Sequence, residues 1–160
     1  MKLSSPSGGA FSLVEITLTL GVAVFCLVSI FGLMTVGLNS NQVAAEQRAA
    51  NDILSAVSAD LRATPATVPS GDAAVSRQFS IPIPANPVTT APPATTLYFG
   101  GDGRISAAGD SRYRLTIHFP PNGPNAHTAT FVNLRVSWPA PAPLADAAGS
   151  VQTFVALNRN

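Results

Sequence analysis

Few residues in this 160-residue chain have the company that chemistry requires. His118 falls on the polar phase of a strand-like pattern beside Thr116, and His127 lies among Pro, Asn and Gly. Both read as solvated side chains rather than as a metal pair, and no metal is expected. Gly100-Gly101-Asp102-Gly103 lacks the lysine and the helix start of a phosphate loop, so it reads as a turn. Asp102 and Asp110 flank a loop whose carboxylates could hold calcium, but their spacing fits no calcium-loop pattern. Arg112 and Arg114 share a strand face with His118 and could meet phosphates; no aromatic residue is interleaved with them, and no nucleic acid is expected. No serine, cysteine or carboxylate pair has the neighbours that nucleophilic or acid–base catalysis needs, so neither enzymatic activity nor a cofactor is expected. Cys26, the single cysteine, has no partner for a disulfide within the chain.

One carboxylate stands out by its position. Glu15 heads a run of 30 residues without a formal charge, which ends at Glu46. Within that run Ile16 to Leu38 is a continuous apolar segment, and 23 residues of helix would reach about 34 Å against a hydrocarbon core of about 30 Å. The segment is too long for the apolar region of a cleaved secretory signal, although Val43-Ala44-Ala45 would make a tolerable cleavage site. A lipoprotein signal is disfavoured by Phe25 directly before Cys26. A retained single-span anchor fits best. A carboxylate at the bilayer centre costs about 2.5–3.5 kcal/mol, and less near the interface. Glu15 therefore marks either the interface, where it favours the positive end of the helix dipole, or a site with a purpose.

The flanking residues decide between these two readings. Gly8-Gly9-Ala10-Phe11-Ser12-Leu13-Val14-Glu15 resembles the processing site of type IV prepilins and of the pseudopilins of type II secretion systems. The stretch Phe11 to Val22 also looks like the prepilin-type cassette proteins of verrucomicrobia. The resemblance implies that a prepilin peptidase cuts between Ala10 and Phe11 and methylates the new amine of Phe11. It further implies that Glu15 faces the amine of a neighbouring subunit, so that neither charge stays unpaired in lipid. The residue before the cut is commonly glycine in that family and here is Ala10; a cut after Gly9 would move the glutamate one place out of register. A calcium ion near Asp102 and Asp110, as in some major pseudopilins, and DNA contact through Arg112 and Arg114, as in some minor pilins, are neither of them expected. Lys2 is a thin positive-inside signal with no opposing cluster before Arg48, which places the amino terminus in the cytoplasm and the remainder in the periplasm.

Beyond the span the helix pattern continues. Ile53, Leu54, Val57 and Leu61 recur at three- and four-residue steps, with Arg48, Asn51, Asp52, Ser55 and Ser58 largely opposite. Arg48 and Asp52 are spaced for an i,i+4 ion pair. The helix should stop before Pro65, so that 11–63 forms one rod of about 80 Å. Gly21, Gly32 and Gly37 either let neighbouring rods approach or are simply tolerated in a membrane helix. Residues 64–96, rich in proline, read as a linker or loop in which Phe79, Ile81 and Ile83 permit an edge strand.

The last third, 97–160, alternates as strands do. Leu97 to Phe99, Tyr113 to Phe119, Phe131 to Trp138 and Val151 to Leu157 each set apolar residues on one phase and polar ones on the other. These expectations add up to a leader (1–10), a long helix with a transmembrane segment (16–38), a proline-rich loop and an antiparallel sheet of about four strands covered by the helix. That is an α+β, pilin-like architecture.

With 11% charged residues against about 25% in soluble domains, and nine basic against eight acidic side chains, the chain has no field to recruit nucleic acid or anionic lipid. The expected role is structural: a minor pilin-like or pseudopilin-like subunit of a type IV pilus or a type II secretion-like filament. Its expected partners are the prepilin peptidase, other pilin or pseudopilin subunits and membrane lipid. The alternative is a single-span membrane protein whose periplasmic head binds a partner and never polymerises.

Overall fold

The computed structural model describes residues 12–64, 74–123 and 129–158. The chain divides into two compact units, Met1–Val43 and Ala44–Asn160. Their shared element is α1 (Leu13–Ala63), 51 residues of helix that end two residues before Pro65.

In the first unit α1 exposes every large apolar side chain it carries, among them Leu18, Phe25, Phe31 and Leu33. It is one helix near the amino terminus, long and apolar enough to cross a membrane. Its hydroxyls turn back onto their own helix. Thr17 Oγ1 donates to the Val14 carbonyl at 2.9 Å, Ser29 Oγ to Phe25 at 2.8 Å, Thr35 Oγ1 to Phe31 at 3.3 Å, and Thr19 Oγ1 to the Glu15 carbonyl.

The second unit is α+β. Its main sheet has four antiparallel strands in sequential order: β3 (Thr95–Phe99), β4 (Tyr113–His118), β5 (Thr130–Trp138) and β6 (Gly149–Leu157). A separate two-stranded ribbon joins β1 (Ala74–Val75) to β2 (Pro82–Ile83). Alternation in the strands does what it must on a half-covered sheet. Tyr113, Leu115, Ile117, Val132, Leu134 and Val136 are buried, while Arg114, Thr116, His118, Phe131, Asn133 and Arg135 alternate with them on the open face. The helix supplies the cover: Ala50, Ile53, Leu54, Val57 and Leu61 belong to the same core as these strand residues. Apolar burial of this kind, worth about 25 cal/mol per Å², is the main force holding helix and sheet together.

The proline-rich stretch contributes more than a spacer would. Ala74, Phe79, Ile81 and Ile83 join the core, and the Phe79 ring meets Phe99 edge-on with centroids 5.8 Å apart. Proline restricts strand pairing without preventing burial, so β1 and β2 stay two residues long while Ala74 and Ile83 are buried and Val75 and Pro82 are exposed.

Asn122 ties two loops of this unit together. Its Oδ1 accepts the Val88 amide at 2.7 Å, its amide donates to the Val88 carbonyl at 3.0 Å, and its Nδ2 donates to Asn86 and to the Ala129 carbonyl.

Candidate functional site

Ala10, Phe11 and His127 lie outside the described residues. Glu15 is described, and it sits exposed in the first turn of α1. Its amide donates to the Ser12 carbonyl at 2.9 Å, so the turn that carries it is already closed. A carboxylate there complements the unpaired N–H groups of the helix start. Leu13, Val14, Ile16 and Leu18 surround it in sequence and are all more than half exposed. The arrangement presents one negative charge at the head of an otherwise hydrocarbon surface.

Among the described residues, the ion pairs within 4.0 Å are Arg104–Asp102 and Arg112–Glu46. The i,i+4 pair expected between Arg48 and Asp52 is therefore not formed. Both side chains are exposed, and such a pair gains only a few tenths of a kcal/mol, about 0.2–0.5, against the entropy of ordering two long side chains. Arg112 reaches the helix instead. Its guanidinium donates to Glu46 Oε1, and this hydrogen bond raises the arginine's already high pKa against the opposing effect of partial burial. The contact joins residues 66 apart in sequence and pins the start of β4 to α1.

The residues singled out for anion or metal chemistry fall on two different elements, β4 with Arg112 just before it, and the loop that carries Asp102 and Asp110. Arg112 is engaged by Glu46, while Arg114 stands on the open face of the sheet and His118 is exposed at the end of β4. Asp102 Oδ1 accepts the Arg104 amide at 3.1 Å, which closes the turn together with the Gly103 amide on the Gly100 carbonyl at 3.1 Å. Gly103 has φ +75°, the left-handed region, so glycine is required there. Asp110 lies in a short 3₁₀ turn, Ala108–Asp110. Among the described residues no group of three or more His, Cys, Asp or Glu side chains gathers to hold a metal. Cys26 is exposed on the apolar part of α1. A groove of about 400 Å³ runs past Asp52, Ile53, Phe79, Phe99 and Asp102; its lining carries two carboxylates and no histidine, cysteine, serine or lysine.

Two polar residues with large structural roles escape a reading of the sequence alone. Asp60 is 8% exposed, and its carboxylate accepts the amides of Gln78 at 3.0 Å and Phe79 at 3.1 Å. Ser76 is more deeply buried, at 2% exposed, and accepts the Ile81 amide on its Oγ at 3.1 Å. A signal for Asp60 was present: it falls on the same stripe as Ile53, Val57 and Leu61, where a carboxylate needs a partner to be buried. The partner could not be named, because it is backbone in another segment.

No protein-family model, curated protein or solved structure matches the chain.

Proposed function

We propose that the chain is a structural subunit of a type IV pilus or a type II secretion-like filament, of the minor pilin or pseudopilin kind. The observation that carries this reading is Glu15: an exposed carboxylate in the first turn of a 51-residue helix whose next 30 residues bear no charge. The Gly8 to Glu15 resemblance supports it from the sequence side. In this reading the precursor is a single-pass inner-membrane protein with a cytoplasmic amino terminus and a periplasmic head. A prepilin peptidase cuts between Ala10 and Phe11 and methylates Phe11. Glu15 then pairs with the Phe11 amine of a neighbouring subunit, and apolar helix surfaces pack together in lipid and afterwards in the filament.

The pairing has a physical motive. An isolated carboxylate and an isolated ammonium are each expensive in hydrocarbon, whereas together they neutralise one another and select one axial offset between helices. Mass spectrometry of the mature protein is expected to find a methylated Phe11 as its first residue. An intact Met1, or a terminus at Glu46, would sink the proposal. Glu15→Ala is expected to insert in the membrane normally and to enter filaments poorly; undiminished incorporation would remove Glu15 from the mechanism.

A further inference from the structure

Arg48 and Asp52 stand exposed on the side of α1 opposite the stripe that covers the sheet, and among the described residues neither has an ion-pair partner within 4.0 Å. Ala45, Ser55 and Ala59 continue the same side at three- and four-residue steps and are exposed as well. All three are small, so a second helix can approach closely there without meeting the sheet.

The spacing of these two charges matches that of the Phe11 amine and Glu15. In the filament reading the amine of one copy lies level with Glu15 of its neighbour, an axial offset of four residues or about 6 Å. Arg48 follows Phe11 by 37 residues, and Asp52 follows Glu15 by the same 37. Two identical helices offset by four residues at one level are offset by four at every level. The register that joins the amine to Glu15 therefore also sets Arg48 of the first copy level with Asp52 of the second. Thirty-seven residues make about ten turns at ~3.7 residues each, close to the repeat of ~3.67 that gives a gentle right-handed winding, so a single neighbour can close both pairs.

We propose that the outward side of α1 docks the same side of a second copy offset by four residues, with Arg48 of one copy paired to Asp52 of the other. The pairing rests on the filament reading and deepens it. Glu15 supplies one register contact in lipid, and these charges supply a second in water, ten and fourteen residues beyond Leu38 at the end of the apolar segment. An exposed ion pair adds little affinity, and its effect here is on register. At zero offset Arg48 meets Arg48 and Asp52 meets Asp52, which repel; at an offset of seven Asp52 meets only Ala45. Arg48 and Asp52 come level only at an offset of four.

The test uses the full chain, coexpressed as two differently tagged copies, with entry into filaments as the readout. Arg48→Asp alone and Asp52→Arg alone each set like charges against the neighbouring copy. Each is expected to enter several-fold less than the wild type while the buried Trp138 keeps its emission. Coexpressing the two variants should restore most of the loss. The unchanged Asp52 of one then meets the unchanged Arg48 of the other, and the two substituted side chains meet in the same way. An ion pair within one chain could not give this rescue, because each variant still holds like charges at positions 48 and 52. Normal entry of either single variant, or no rescue on coexpression, would overturn the pairing. Glu15→Ala tells two failures apart: if it enters poorly while the charge variants enter normally, only the Arg48–Asp52 pairing falls. If Glu15→Ala enters normally, Glu15 leaves the filament mechanism and the offset of four falls with it.

Discussion

Asp60→Ala is expected to lower the stability of the unit Ala44–Asn160 by about 2–4 kcal/mol, since two amides lose a charged acceptor in a buried place. The magnitude follows from what Asp60 holds. Its carboxylate takes the amides of Gln78 and Phe79 at the tip of the turn between β1 and β2, where Ser80 sits at φ 52°. Without it that turn loses its hydrogen bonds to α1 and is held by the packing of Phe79, Ile81 and Ile83 alone, with the Phe79 ring against Phe99 less firmly fixed. Thermal unfolding followed by the emission of Trp138, the only tryptophan, reads this unit selectively.

The same residue predicts a pH dependence. Burial pushes the Asp60 pKa up, but hydrogen bonds from Ser76 and from the Gln78, Phe79 and Arg77 amides outweigh it, and the folded value lies below the ordinary 3.8. A carboxyl depressed on folding contributes stability that is fully present above its unfolded pKa and is lost as the pH falls through the folded one. The gap in stability between the wild type and Asp60→Asn should therefore be constant near neutrality and should shrink in acid below pH 3.8. A gap that stays constant through that window would show that the carboxylate's charge contributes nothing.

Gly149→Ala is expected to cost about 1–3 kcal/mol by overpacking. Gly149 lies directly opposite Trp138 in the β5–β6 ladder, and the indole covers it so closely that a Cβ would fall 2.3 Å from Cζ2 and 2.5 Å from Cε2. Trp138 is 6% exposed and meets Tyr113 edge-on at 6.2 Å, so the ring has a fixed seat to leave. The variant should show a shifted Trp138 emission as well as a lower melting temperature. Gly109→Ala is the control: a Cβ there meets nothing within 4 Å, and its φ is not in the left-handed region. Equal effects from the two substitutions would mean that the indole moves freely.

The parts of this fold legible in the sequence are those with a short period. Ile53, Leu54, Val57 and Leu61 announced the covered stripe of α1, Pro65 its end, and alternation through Tyr113–His118 and Thr130–Trp138 the inner strands. What could not be read depends on partners far apart in the chain. The Arg48–Asp52 pair was suggested by local spacing, whereas Glu46 finds Arg112 across 66 residues. The alternation of Phe79, Ile81 and Ile83 was legible as an edge strand able to cover the sheet, but the full burial of these side chains was not, because the prolines around them bear on pairing rather than on burial. Glu15 was legible at once, since one charge before 30 uncharged residues needs no third dimension to be noticed.

The hydroxyls of the apolar half of α1 have a consequence for how two such helices could recognise each other. With Thr17, Thr19, Ser29 and Thr35 each donating to a carbonyl of its own preceding turn, those donors are withheld from any neighbouring helix. Residues that a hydropathy scale scores as polar thus present methyl and methylene groups to their surroundings. Discrimination between one neighbour and another along this length must then come from the relief of the surface, its bulges at Phe25 and Phe31 and its hollows at Gly21, Gly32 and Gly37, and from the single charge at its head.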